Sequence, residues 1–217
     1  MAAVVWSVVE QFVEGKSDDI ICEDLIVVTT DFAAVIDGAS DETGMKFGGW
    51  SGGRFAAEGD CSFLVDGQPN VGTKRVDDAA YGFRAAINSA LLESGTSLTE
   101  ILEDDPGAAA ARPLFDLQQQ LSNQQGPWGY GCVNGRPVPD RFVEVFPVAN
   151  NATETVLTSD GFPDPRSSLA ESEARLKHLL ETDPAAIGEL WTVGKSLRPG
   201  PNSVDDRAYL RLCRELS

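Results

Sequence analysis

Acidic side chains stand at the ends of apolar runs in this chain, and they are the first candidates for chemistry. Four distant stretches share the pattern, namely "CED", "AVIDGAS", "LTSDGF" and "DDRAYL", with the carboxylates Glu23 and Asp24, Asp37, Asp160, and Asp205 and Asp206. A carboxylate at the end of a buried strand is costly unless its charge is compensated. If the four stretches converge, their mutual repulsion requires a cation.

The donor types restrict which cation that would be. Oxygen ligands favour a hard ion such as Mg²⁺ or Mn²⁺. The chain has a single histidine, His178, on a charged helix, and its four cysteines are far apart, so a nitrogen or sulfur site is not expected. An Asp-Gly pair after a strand is more often a turn than a site, but carboxylates at the strand ends of four distant stretches favour a site. A glycine after the carboxylate would let the backbone turn sharply and offer its carbonyl as a ligand.

The ordered motifs resemble those of the metal-dependent serine/threonine phosphatases of the PP2C (PPM) type. These have an acidic residue before an early strand, an Asp-Gly after the next strand, a late Ser-Asp-Gly and a terminal Asp-Asn or Asp-Asp. Order and approximate spacing agree from about residue 15 to residue 212. The resemblance implies a four-layer αββα sandwich, in which a mostly antiparallel β-sandwich is flanked by helices.

The resemblance also implies two Mg²⁺ or Mn²⁺ ions at one end of the sandwich. Asp37 would bridge both ions and is the residue on which catalysis depends. The implied ligands are Asp24, Asp37, Gly38 through its carbonyl, Asp160 and Asp205, with Glu23 as an alternative to Asp24 and Asp164 as the ligand of a weaker third ion. A bridging water with a lowered pKa would attack phosphorus in line, so no side-chain nucleophile is required.

Two departures from the family pattern concern the substrate. The arginine that grips the substrate phosphate in the family is missing, and Lys16 is the candidate in its place. The family's "DGHGG" is replaced by the longer "DGASDETGMKFGGWSGG". Arg54 and Lys195 are further candidates for binding phosphate, although each is more typical of a solvated surface charge. The chain is thus predicted to be a divergent phosphoester hydrolase, and the alternative is a pseudophosphatase that acts as a regulatory or partner-binding module.

Composition limits the partners. The 217 residues include 34 acidic and 17 basic ones, a formal net charge of −17, which disfavours nucleic acid and anionic membranes. A phosphorylated protein or a small phosphoester is the expected partner, and a monomer is the default. The N-terminus lacks a signal-peptide pattern, and no apolar run approaches the ~20 residues of a membrane span. We therefore expect a cytoplasmic protein with free thiols.

The elements that would position these residues follow an α+β pattern in one domain, residues 1–217. Strands are expected at 3–13, on both sides of a turn near Thr30 and Asp31, in the pair "FVEVFPV" and "ETVLTSD", and at the C-terminus. Helices are expected in "VDDAAYGFRAAINSALLESG", in "SSLAESEARLKHLLETDP" with Ser168 or Ser167 as cap, and around Ala56 and Ala57. A short helix and then a surface loop are expected in "LTEILEDDPGAAAARP", and "LFDLQQQLSNQQ" is a candidate amphipathic helix.

Overall fold

The computed structural model describes residues 5–17, 22–38, 46–47, 50–51, 57–58, 61–71, 74–198 and 200–215. Its strands are β1 (Trp6–Glu14), β2 (Leu25–Val28), β3 (Ala33–Ile36), β4 (Lys46–Phe47), β5 (Trp50–Ser51), β6 (Ala57–Glu58), β7 (Ser62–Val65), β8 (Gln68–Val71), β9 (Cys132–Val133), β10 (Glu154–Thr158) and β11 (Arg207–Arg214). Its α-helices are α1 (Arg75–Glu93), α2 (Leu98–Asp104), α3 (Pro106–Gln118) and α4 (Leu169–Thr182). Single 3₁₀ turns lie at Gln119–Leu121, Asp140–Phe142 and Trp191–Val193.

The main sheet has five strands in the order β1-β11-β10-β7-β8, and all neighbouring pairs are antiparallel. β7 and β8 form a hairpin through Asp66 and Gly67, which both have a positive φ, of 48° and 75°. This is the backbone conformation that a two-residue hairpin turn requires. The C-terminal strand lies inside the sheet, so it can hold its first residues against two neighbouring strands.

A second, two-stranded sheet is formed by β2 and β3 and packs against β11, β1 and β10. Successive side chains of a strand point to opposite faces, yet Ala208, Tyr209 and Leu210 of β11 are all fully buried. Both faces of β11 are therefore covered. On one of them α4 packs onto the sheet through a core that includes Leu176, Leu179 and Tyr209.

The boundaries of α4 follow from local chemistry. Ser168 is the N-cap, and its hydroxyl accepts a hydrogen bond from the backbone N–H of Glu171. This satisfies one of the donors that the first helical turn leaves without an intrahelical partner. Leu176, Leu179 and Leu180 then recur at helical spacing on the buried face, so the expected helix and its Ser168 cap are confirmed.

Three sequence-based expectations are wrong. Ala57 lies in strand β6, which pairs with β9, and not in a helix; Ala56 is outside the described residues. Residues 106–118, expected to begin as a surface loop, form helix α3 with Pro106 at its first turn. Residues 143–148 are not a strand, because β10 already pairs with β7 and β11 and has no free edge for them.

The other expected elements are confirmed, namely β1, the β2–β3 hairpin, α1, α2, β10 and β11. The α+β class is confirmed as well, since an antiparallel sheet and separate helices make up the fold. Among the described residues, no helix combines the length and the apolar character needed to cross a membrane.

Candidate functional site: a cluster of aspartates at strand ends

Antiparallel pairing accounts for the first half of the cluster. Leu25 at the start of β2 lies opposite Ile36 at the end of β3. The residues just outside this pair, Asp24 and Asp37, are therefore neighbours. The backbone N–H of Gly38 donates a hydrogen bond to Asp24 Oδ1 at 3.2 Å, which ties the two ends together.

The second half arises in the same way from β10 and β11. The pairing continues past Thr158, since Ser159 N–H donates to the Ala208 carbonyl at 3.1 Å and Ala208 N–H donates to Ser159 Oγ at 2.9 Å. The chain segment Asp160–Gly161 consequently lies beside the segment that precedes β11. Asp160 is thereby brought to the same end of the sheet as Asp205, and both carboxylates interact with Lys195.

Asp206 joins the two halves. Its carboxylate is buried and accepts two backbone hydrogen bonds, from Lys16 N–H at 3.0 Å and from Glu23 N–H at 2.7 Å. It therefore fixes the start of β11 to the chain before β2 and to the chain after β1. This role leaves Asp205 as the member of the Asp-Asp pair that faces the cluster.

Two lysines face Asp205. Lys16 Nζ lies 3.3 Å from Asp205 Oδ1, and Lys195 Nζ forms a short ion pair with Asp205 Oδ2. Burial alone would raise the pKa of the Asp205 carboxyl, but the charges of Lys195 and Lys16 hold it below its usual value. Burial would lower the pKa of Lys195, whereas Asp205, Asp160 and Asp37 raise it, in that order. Lys195 thus interacts with three of the four aspartates of the cluster.

Asp24 is the member whose charge is least compensated. Its side chain is 1% exposed, and its Oδ2 is buried with no hydrogen-bond partner in the part of the chain that the structure describes. Burial raises the pKa of the Asp24 carboxyl, and contacts with Ser159, Asp37 and the Gly38 N–H offset only part of this effect. A buried carboxylate oxygen without a donor is a position at which a cation would be stabilising.

The donors therefore have the chemistry of a hard-cation site. Asp24, Asp37, Asp160 and Asp205 supply only oxygen, and the backbone at Gly38 lies against Asp24. Their present arrangement is not a closed coordination shell, because the described residues contain no group of three or more His, Cys, Asp or Glu side chains that could hold a metal ion. The ammonium groups of Lys16 and Lys195 both contact Asp205.

The glycines that follow Asp37 and Asp160 are required for space. Neither Gly38 nor Gly161 has a positive φ, so the sharp turn inferred from the sequence is not their role. A Cβ on Gly38 would overlap the backbone carbonyl of Glu23, and one on Gly161 would overlap the backbone carbonyl of Asp206. The absent side chains let the four strand ends approach one another.

Gly161→Ala is accordingly expected to push the end of β10 away from Asp206 and to lower the free energy of unfolding by about 1–3 kcal/mol. Urea-induced unfolding followed by circular dichroism measures the effect. Gly126→Ala is the matched control, because a Cβ there would meet nothing within 4 Å. Equal urea midpoints for the two variants would contradict the close approach at Gly161.

The remaining candidate residues are placed less centrally. Asp164 Oδ2 accepts hydrogen bonds from Arg166 at 2.5 Å and from Arg175 at 2.6 Å, so two arginines already balance its charge. It lines a cavity of about 600 Å³ between the β7–β8 turn and the start of α4, and none of the four clustered aspartates lines that cavity. Glu23 is buried, and its backbone N–H contacts Asp206. Arg54 and most of the glycine-rich loop after Gly38 lie outside the described residues.

The positions of two residues, Asp206 and Lys195, do not follow from the sequence alone. Asp206 was grouped with Asp205, and nothing in the "DDR" motif tells which carboxylate turns inward. Lys195 is a candidate for binding phosphate that is more typical of a solvated surface charge, yet it pairs with Asp205, and this position depends on contacts between residues far apart in sequence.

Comparisons of the chain with protein-family models, with curated proteins and with solved structures found no match. The resemblance to PP2C-type phosphatases thus depends on the sequence motifs alone.

Proposed function

We propose that the protein is a metal-dependent phosphoester hydrolase with a PP2C-like fold, and that the aspartate cluster is its catalytic centre. The observation that supports it most is that Asp24 lies beside Asp37 and that Lys195 interacts with Asp37, Asp160 and Asp205, although these aspartates come from four strand ends spread over more than 180 residues. A structural role alone does not require four carboxylates in one place, because their repulsion destabilises the fold.

The residues of the cluster would have different roles in catalysis. Asp37 interacts both with Asp24 and with Lys195, and in keeping with the resemblance it would be the carboxylate shared by the two ions. Asp160 and Asp205 would complete one ion's ligands and Asp24 the other's. A divalent ion bound there would supply an activated water for attack on phosphorus. Lys16, 3.3 Å from Asp205 and 21% exposed, is placed to bind an oxygen of the substrate phosphate.

The layering of the fold supports the same proposal. The β2–β3 hairpin packs against the main sheet, and α4 packs on a buried face of that sheet, as in a sandwich with an outer helix layer. We infer that the hairpin belongs to the second sheet of an αββα sandwich. The substrate would be a phosphorylated protein or a small phosphoester. The four free cysteines fit a reducing compartment such as the cytoplasm.

The direct test is hydrolysis of p-nitrophenyl phosphate by the purified full chain in Mn²⁺ and in Mg²⁺. We expect turnover that requires the added ion and that stops when EDTA is added in excess. Turnover at an unchanged rate in EDTA would contradict the proposal, since the cluster would then have no catalytic part.

One observation favours the second function, a pseudophosphatase. The ion pair between Lys195 and Asp205 supplies positive charge to the cluster without any metal. A chain that uses lysine in this way would keep the fold and bind partners without catalysis. The two functions differ in a binding measurement: the hydrolase binds Mn²⁺ in a calorimetric titration, whereas the pseudophosphatase shows no heat of binding and no turnover.

A further inference from the structure

The two lysines of the cluster make their ion pairs with the same aspartate. The ammonium groups of Lys16 and Lys195 both contact Asp205. Asp24 Oδ1 accepts a hydrogen bond from the backbone N–H of Gly38, and Asp24 Oδ2 is buried with no hydrogen-bond partner among the described residues. The lysines therefore compensate the Asp205 side of the cluster better than the Asp24 side.

The backbone on both sides of Lys195 is fixed. Gly194 is buried and has a φ of +76°, and a Cβ there would overlap the ring of Tyr81 on α1. Ser196 donates from its backbone N–H and from its hydroxyl to Asp105 Oδ2, each at 3.2 Å. The loop thus holds Lys195 between two anchored neighbours, which is unlike a lysine placed on the surface by chance.

The side chain of Lys195, in contrast, can leave. It is 41% exposed, and four rotatable bonds separate its ammonium group from the anchored backbone. It carries one positive charge, whereas a divalent ion carries two and accepts several oxygen ligands at once. The same carboxylates cannot bind the ammonium group and a closed shell around a metal ion at the same time.

We propose that Lys195 is a built-in competitor of the metal: its ammonium group pairs with Asp205 and must leave before a divalent ion binds at the cluster. This inference rests on the proposed metal-dependent function and adds a regulation of that site. The protein would bind metal weakly, because the apparent affinity is reduced by the fraction of molecules whose cluster is free of the ammonium group. A lysine present nine-tenths of the time weakens binding about tenfold.

The test measures Mn²⁺ affinity by isothermal titration calorimetry and by the electron paramagnetic resonance signal of free Mn²⁺. Lys195→Met keeps the aliphatic stem and removes the charge, and we expect it to bind Mn²⁺ at least tenfold more tightly than the wild type. Lys195→Arg keeps the charge and should bind weakly, as the wild type does. Lys177→Met is the matched control, since Lys177 is 77% exposed on α4 and pairs only loosely with Glu181, at 3.9 Å. Its affinity should equal that of the wild type.

Thermal unfolding provides a second test of the competition between Lys195 and the metal. Without metal, Lys195→Met should unfold at a lower temperature than the wild type, because its aspartates have lost a counter-ion. Saturating Mn²⁺ should reverse that difference. A variant with lower stability in both conditions would have lost only a structural contact, which would overturn the proposal.

The outcomes separate the two proposals. Equal Mn²⁺ affinity of the wild type and Lys195→Met, with binding in both, would overturn the competition and leave the metal-dependent function standing. No binding by either protein would overturn both. Tighter binding by Lys177→Met to the same degree would overturn the competition as well, because the effect would then come from net charge.

Discussion

Asp37→Asn is expected to lower the Mn²⁺-dependent rate of p-nitrophenyl phosphate hydrolysis by about a thousandfold or more, equivalent to about 4 kcal/mol of transition-state stabilisation. Asp37 is the member of the cluster that interacts both with Asp24 and with Lys195. An asparagine keeps its size but carries no charge and offers one oxygen instead of two. The activation of water would then lose the carboxylate placed between the two halves of the site.

Asp31→Asn is the matched control for that measurement. Asp31 lies in the exposed turn between β2 and β3, at the opposite end of the same hairpin, and the change removes the same charge. We expect wild-type turnover from this variant. Circular dichroism of Asp37→Asn should remain that of the folded protein. If a folded Asp37→Asn keeps more than a tenth of the wild-type rate, Asp37 does not have the proposed role.

Part of the arrangement of the aspartates follows from strand pairing. Asp24 and Asp37 lie one position beyond the Leu25–Ile36 pair, so the β2–β3 hairpin makes them neighbours. The β10–β11 register, in which Thr158 lies opposite Tyr209, brings the segment Asp160–Gly161 beside the segment Asp206–Arg207. The contact between the β2–β3 pair and the β10–β11 pair does not follow from strand pairing. It depends on the backbone hydrogen bonds that Asp206 accepts from Lys16 and Glu23, and neither the spacing nor the periodicity of the sequence predicts them.

The errors in the fold have physical reasons. The β7–β8 hairpin was missed although its Asp66-Gly67 turn is a strong hairpin signal. Helix α3 contains Pro113, which lacks the N–H of a regular helical residue and makes the segment resemble a loop. The alternating segment 143–148 has the pattern of a strand, but a strand also needs an unpaired edge, and sequence alone does not show that β10 has none.

Arg84→Met is expected to have the largest effect on stability, a loss of about 3–5 kcal/mol in the free energy of unfolding. The guanidinium group of Arg84 is fully buried and donates to Asp105 Oδ2 at 2.8 and 3.0 Å, to Ser196 Oγ at 2.6 Å, and to the carbonyls of Ala185 and Ala186 at 2.9 Å. Methionine fills most of the space but leaves Asp105 as a buried charge without its counter-ion. Urea-induced unfolding at pH 7 measures the loss.

Two further variants test the cause. Arg112→Met removes an arginine that pairs with Asp116 at 2.7 Å on the surface of α3, and it should cost less than about 1 kcal/mol. Arg84→Met combined with Asp105→Asn should be more stable than Arg84→Met alone, because no buried charge then remains unpaired. Asparagine also tolerates the left-handed backbone of Asp105, with a φ of 42°, and can still cap α3. A double variant that is less stable than Arg84→Met would show that lost packing, not the unpaired charge, is the cause.

The pH dependence of stability is a further test of the Arg84–Asp105 ion pair, because the direction of the pKa shift of Asp105 fixes the direction of the effect. Burial alone would raise the pKa of the Asp105 carboxyl, but hydrogen bonds from Asn88 and Arg84, the Arg84 charge and the Ala108 N–H hold it below the usual value. A carboxyl with a lowered folded pKa contributes stability above its unfolded pKa of about 3.9, and this contribution is lost as the pH falls through the folded pKa. In Arg84→Met the same carboxyl is buried without its counter-ion, so its folded pKa is raised. The difference in stability between the wild type and Arg84→Met should therefore be largest at neutral pH and should shrink as the pH falls through the raised pKa of Asp105 in the variant towards its lowered pKa in the wild type. Because Asp105 also holds Ser196, the same acidification should loosen the loop that positions Lys195 beside the aspartate cluster. A difference that stays constant down to pH 3 would mean that the charge of Asp105 contributes nothing to the cost of Arg84→Met.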